Sequence, residues 1–300
     1  MEQKTAEKKP LTPAQQRQQA IKRRGWLGAG VQALYFLIMP GAFVAGFSGV
    51  KHIFQWIGAG AVLQLDSFVL ALIGLAVFTV LFGRYFCGFV CAFGSLGDFV
   101  YWLSGLVQKK LLHRKQVFRL PEKLVRAGQK LKYLILAAIV LLCAAGWYGK
   151  LNGTSPWEVF SRLTALRLPP EGFGVGIALF VLILLGMALH PRFFCQFLCP
   201  MGAVFALLPV LPSAQLHRDG EQCIPGCSAC QKHCPVSLKL DAQSLRSGEC
   251  IGCEACVGIC PKSNITRWDL TRSKHFWLPA VGRAVLFFGM GVCLGFCRFL

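Results

Sequence analysis

Eight cysteines between residues 223 and 261 constrain this chain more than any other feature. They run Cys223-x3-Cys227-x2-Cys230-x3-Cys234-Pro235 and then Cys250-x2-Cys253-x2-Cys256-x3-Cys260-Pro261. The x2 gaps let a tight loop turn three sulfurs toward one face, and the x3-Cys-Pro step carries the fourth away. Soft thiolates at this density suit iron–sulfur clusters. Zinc sites pair two C-x2-C units across a longer spacer, and disulfide frameworks belong to short secreted chains. Neither describes two four-cysteine strings, each closed by proline, in a chain of 300 residues.

The second string is the bacterial ferredoxin pattern C-x2-C-x2-C-x3-C-P, and the first departs from it by one extra residue between Cys223 and Cys227. In that pattern the fourth cysteine ligates the other cluster. The expected ligand sets are therefore Cys223, Cys227, Cys230 with Cys260, and Cys250, Cys253, Cys256 with Cys234. Two [4Fe–4S] clusters in a small α+β domain over residues 213–275 are expected, and their work is to pass electrons.

The remainder is not a soluble carrier. Hydrophobic residues make up 55% of the chain and charged ones only 15%, a composition that belongs in lipid. A span of ~30 Å needs about 20 apolar residues, which predicts spans near 27–47, 61–82, 133–147 and 173–189. Pro40 is expected to kink the first, and Asp66 to sit at an interface. Residues 279–300 are either a fifth span, with Arg283 reaching back to the inner surface, or an interfacial helix. The expected fold is an all-α polytopic membrane protein with a basic tail (1–24), a membrane domain (25–212), the ferredoxin domain and a last helix (276–300).

The formal charge of +19 follows this topology and not a nucleic-acid-binding face. Residues 1–24 and 84–132 hold 17 Lys and Arg, whereas residues 48–60 and 149–172 hold 4. By the positive-inside rule the N-terminus, the 84–132 loop and everything after the fourth span face the cytoplasm. The N-terminus reads as a retained basic tail, since no short apolar core with a cleavage site precedes the first long apolar run.

A repeat is written into the membrane part. Arg84-Tyr-Phe-Cys87-Gly-Phe-Val-Cys91-Ala-Phe-Gly94 recurs as Arg192-Phe-Phe-Cys195-Gln-Phe-Leu-Cys199-Pro200-Met-Gly202. The spacing predicts two duplicated helical hairpins (25–107 and 132–212) related by a pseudo-two-fold axis. Such an axis brings Cys87, Cys91, Cys195 and Cys199 together, as a third cluster, another thiolate-bound metal or a redox dithiol. Cys143, and the x3-spaced Cys293 and Cys297, read as small apolar residues.

With these motifs the chain resembles the NapH/NosR group of membrane ferredoxin-type proteins. The resemblance spans residues 25–275 and rests on the two Cys-x3-Cys motifs with the eight cysteines after them. It implies a bacterial inner-membrane subunit of a quinol dehydrogenase or related oxidoreductase complex, relaying electrons between the quinol pool and a partner reductase or flavoprotein. Ala92 stands where that group carries proline, and no flavin-binding domain precedes the first span. His52 and Glu158 on the outer side and His190 on the inner side are candidate quinone contacts, although an interface histidine is more often a structural hydrogen-bonding group. The alternative is an accessory factor in copper-enzyme assembly, with Cu(I) on the membrane thiolates; five Met and six His give it no Met-rich or His-rich tract.

Overall fold

The computed structural model describes residues 13–111, 121–151, 153–238, 248–262, 264–267 and 277–296. Cys297 and the first part of the basic tail lie outside the described residues.

Helix α1 (Pro13–Ile38) and helix α2 (Ala42–Gly58) meet at Met39-Pro40-Gly41, and their axes bend by 62° there. Proline has no N–H to donate and its ring excludes a continuous turn before it, so the expected first span is broken in its middle. Residues 48–58, expected as a connection, continue α2 instead. Helix α3 (Ser67–Phe82) begins at Asp66, whose carboxylate accepts the Val69 amide at 2.8 Å as an N-cap. The same carboxylate meets His52 of α2 at 2.6 Å. Asp66 therefore starts one helix and ties it to another.

Helix α4 (Ala92–Leu111) follows the first cysteine motif. Helices α5 (Glu122–Gln129) and α6 (Leu131–Ala144) run together as Lys123–Ala144, which is long and apolar enough to cross a membrane. The bent α1–α2 pair is the other candidate among the described residues. After α7 (Pro156–Thr164) comes α8 (Gly174–Leu189), then the second cysteine motif and α9 (Pro200–Leu207). Helices α3 and α8 are apolar but only 16 residues each, shorter than a full span.

The ferredoxin-like part pairs β1 (Leu216–Arg218) antiparallel with β2 (Ile265–Arg267), and holds the short helices α10 (Ala229–Lys232) and α11 (Ala255–Ile259) between them. Helix α12 (Trp277–Cys293) returns to pack on α3. Its Arg283 does not reach out to a surface. It is buried, paired with Glu254 at 2.8 Å and stacked over the Tyr85 ring at 5.5 Å.

The core is aromatic. Phe43 of α2 touches Phe47, Phe93 and Phe194, joining both repeats through rings with centroids 5.4–6.2 Å apart. Outward positions are apolar as well: Leu70, Ile73, Val77 and Leu81 expose one face of α3, and Leu182, Leu185 and Leu189 one face of α8. Contiguous apolar faces of this kind mark contact with lipid or a partner. Gly49 lets α2 lie against α3, since a Cβ there would strike the Phe68 carbonyl and sit 2.9 Å from Leu72 Cβ. Gly49→Leu is therefore expected to lower stability by about 1–3 kcal/mol, read as a drop in the melting temperature of the detergent-purified protein. An unchanged melting temperature would contradict this close crossing.

Candidate functional site

The repeated motif folds the same way twice. Phe86–Val90 and Phe194–Leu198 each form a single π-helical turn, closed by Cys91 N–H to Phe86 O (2.8 Å) and Cys199 N–H to Phe194 O (2.9 Å). Such turns are frequent at functional sites. Each turn ends on the second cysteine of its motif, which directly precedes α4 or α9. Ala92 and Pro200 both take the first helical position, where proline's missing N–H is harmless. The Ala92 departure leaves this geometry intact.

The two arginines of the motif cross between repeats. Arg84 donates to Gly202 O at 3.0 Å, and Arg192 donates to Cys87 O at 2.6 Å and Gly88 O at 3.0 Å. Both are only 3% exposed. Gly94 and Gly202, equivalent in the repeat, leave room for them: a Cβ on Gly94 would strike Arg192, and one on Gly202 would lie 3.3 Å from Arg84 Nη2. This reciprocal clasp accounts for the Arg and Gly of the motif, which spacing alone did not explain. It also brings Cys87, Cys91, Cys195 and Cys199 into electrostatic range of one another.

The ferredoxin-like loop docks on these turns. A Cβ at Gly88 would sit 2.6 Å from Ile251 O. The equivalent residue of the second repeat, Gln196, donates to Pro235 O at 2.9 Å. Arg84 also donates to Gly248 O at 2.7 Å and lies 3.6 Å from Glu249. Glu249 accepts the Tyr133 hydroxyl at 2.6 Å and pairs with Lys132, which is wholly buried. Burial alone would raise the Glu249 carboxyl; the Lys132 and Tyr133 bonds outweigh it and hold the group below the ordinary carboxylate value. Nothing in the sequence marks Glu249, and Lys132 is marked only by its place at the head of an apolar run.

Both expected ligand sets gather. Cys223, Cys227, Cys230 and Cys260 line one pocket together with Arg218 and Asn264. Arg218 donates to Cys223 Sγ from Nε (3.2 Å) and Nη2 (3.1 Å). Asn264 donates to Cys223 Sγ at 3.4 Å and accepts from Cys260 Sγ at 2.7 Å. The Asn264 and Arg218 bonds hold the Cys223 thiol below its usual range, as a thiolate ligand requires. Cys253 and Cys256 lie in electrostatic range of Cys250 and Cys234. Cys234, Cys250 and Cys253 pack against the helical core, whereas Cys230 lies in the smaller core of the ferredoxin-like part. Among the described residues no three His, Cys, Asp or Glu side chains are arranged around a single ion. A cubane asks for something different, one thiolate at each iron corner.

The expected quinone contacts are otherwise engaged. His52 is paired with Asp66, Glu158 faces Arg162 at 4.0 Å one turn on, and His190 Nε2 lies 3.1 Å from Gln196 Nε2.

The family described as "4Fe-4S binding domain" matches residues 67–115 and 173–216, and the "4Fe-4S dicluster domain" matches residues 215–261. The first two segments coincide with α3 to α4 and α8 to β1, each holding one π-turn. Ferredoxin-type protein NapH of Haemophilus influenzae is 28% identical over 67% of this chain and 70% of its own. The chain is similar to NapH-type ferredoxin-like proteins. The putative electron transport protein YccM of Escherichia coli is 29% identical over 83% of this chain and 64% of its own length. Methylamine utilization ferredoxin-type protein MauN of Paracoccus denitrificans is 28% identical over 73% of this chain and 81% of its own. No solved structure matches. The chain thus matches 4Fe–4S binding domains, and its ferredoxin-type relatives support iron–sulfur electron transfer.

The Cys223 pocket yields one expectation. Arg218→Leu removes a charged donor from Cys223, which disfavours the more negative, reduced state. One cluster midpoint should fall by on the order of 60–100 mV, the worth of one charge-assisted bond, in an EPR-monitored titration. An unmoved midpoint would separate Arg218 from the cluster.

Proposed function

We propose that this NapH-type chain relays electrons between the membrane quinol pool and a partner redox protein, as a multi-pass protein of the bacterial inner membrane with its ferredoxin domain in the cytoplasm. The observation that carries this reading is the docking just described: the Cys250–Cys253 loop and the Cys234-Pro235 step rest on the two π-turns of the helical part. None of the residues in that contact lines the Cys223 pocket, which is bordered by Arg218, Ile224, Lys262 and Asn264. [4Fe–4S] clusters held by Cys223, Cys227, Cys230, Cys260 and by Cys250, Cys253, Cys256, Cys234 supply one-electron storage.

The residues around them fix the position of the cysteine loop. Arg84, Lys132 and Tyr133 fix Glu249 beside Cys250, so the loop is held at one distance from the helices. The apolar faces of α3, α6, α8 and α12 fit a lipid surround, and a π-turn follows each of the 16-residue helices α3 and α8. Four spans require that the 16-residue helices cross a locally thin slab, which costs fractions of a kcal/mol per Å of mismatch. Quinol oxidation yields two electrons and two protons; the electrons leave singly, and the protons go to water at the interface.

The copper-assembly reading has no specific observation in its favour.

Anaerobic membranes containing the holoprotein test the proposal. Added quinol, or quinone after reduction by dithionite, should change the cluster absorbance within a turnover, and Cys250→Ser should abolish the response. Absorbance indifferent to both additions would exclude the quinol pool as donor or acceptor.

A further inference from the structure

The carboxylates that serve the two clasp arginines are not used alike. Helix α1 meets the first π-turn much as α5 meets the second: Gly28 faces the Phe89 ring, and Gly128 faces Phe197, the equivalent ring of the repeat. One turn after these glycines stand Gln32 and Lys132. Each shares one carboxylate oxygen with an arginine. Gln32 Nε2 (2.9 Å) and Arg192 Nη2 both donate to Asp98 Oδ2. Lys132 Nζ donates to Glu249 Oε2, from which Arg84 Nη1 is 3.6 Å away.

The second oxygen tells the two halves apart. Glu249 Oε1 accepts a phenol, the Tyr133 hydroxyl, at 2.6 Å. The residue after Gln32 is Ala33, which is exposed and has no hydroxyl to offer. Among the described residues Asp98 Oδ1 therefore has no partner. The Asp98 side chain is 36% exposed, and its surroundings are apolar. Phe99 and Trp102 on α4, next to Asp98 and one turn after it, are exposed, as is Leu37 one turn after Ala33 on α1. Ionisable groups in such surroundings of a membrane domain mark ligand or proton sites.

We propose that Asp98 Oδ1, at the seam of α1 and α4, accepts a hydroxyl of a lipid-soluble quinol whose ring rests against Phe99 and Trp102. The ligand's phenolic O–H takes the place that Tyr133 fills in the other half. A cation fits less well: Arg192 already neutralises Asp98, and among the described residues no three His, Cys, Asp or Glu side chains surround a single ion. The position also suits an electron donor. One guanidinium, Arg192, bonds both Asp98 and the Cys87 and Gly88 carbonyls, so the seam adjoins the first cysteine motif. The His52–Asp66 pair instead lies at the opposite end of α3, about 24 Å along a 16-residue helix. The inference rests on the quinol-pool reading and gives it a binding site.

Photolabelling of the holoprotein in anaerobic membranes with an azido-quinone, read by peptide mass spectrometry, tests the placement. Label is expected on α1 around Ala33 or on α4 around Phe99 and Trp102, and excess quinol should displace it. In quinol-driven cluster reduction, Asp98→Asn should raise the half-saturating quinol concentration about tenfold, the worth of one bond to a charged group. Asp98→Asn also strips Arg192 of its counter-charge, so Ala33→Tyr is the second variant. It supplies the missing phenol in place, and should raise that concentration about tenfold as well while the EPR spectrum after dithionite reduction stays as in wild type. Label elsewhere, with both variants behaving as wild type, would overturn the site and leave the quinol response standing. Displaceable label at the seam without any cluster reduction would keep the site and sink the relay reading.

Discussion

Two buried guanidiniums hold this molecule together. Arg84 and Arg192 each begin in one repeat and bond carbonyls of the other, and each also reaches the ferredoxin-like loop or the carboxylate that anchors the junction. Burying a charge costs several kcal/mol unless it is fully bonded. That requirement dictates the neighbours: Asp98 and Glu249 as counter-charges, Gly94 and Gly202 as space, and the π-turn carbonyls as acceptors. Remove one arginine and an acid, a turn and a docked loop lose their partner together.

The consequence for function is an ordered arrangement. The Cys250 loop packs on the turns that carry Cys87, Cys91, Cys195 and Cys199, and the Cys223 pocket is lined by other residues. A freely tethered ferredoxin would need no such contact. The Arg283–Glu254 pair adds a second hold from α12, on a glutamate with φ of 57° inside the cysteine loop. A non-glycine residue in that region is uncommon and persists only where surroundings fix it. The ion pair with Arg283 holds it here.

Much of this was legible in the sequence because thiolate spacing is a strict code. Cys223, Cys227, Cys230 and Cys260 share one pocket and Cys250, Cys253, Cys256 and Cys234 lie near one another, and the 108-residue offset between motifs reappeared as two π-turns. Helix limits were less legible. Pro40 was visible, but its effect as a 62° break depends on which side of it packs, and hydropathy does not say. Arg283 looked like a membrane-edge residue because Glu254, its partner, lies 29 positions away. Lys132 and Glu249, separated by 117 positions, were unreadable for the same reason. Long-range ion pairs leave no periodic trace.

The central claim is that the arginine clasp locks the cysteine loop to the helical part. Hydrogen exchange of the holoprotein tests it most directly, comparing wild type with Arg84→Gln. The account expects amides around Gly248–Cys253 to be protected in wild type and to exchange at least tenfold faster in the variant, about 1.4 kcal/mol or more of lost local stability, while α10 and the Cys223 pocket stay unchanged. Equal exchange in both proteins would mean that the loop is held by something else.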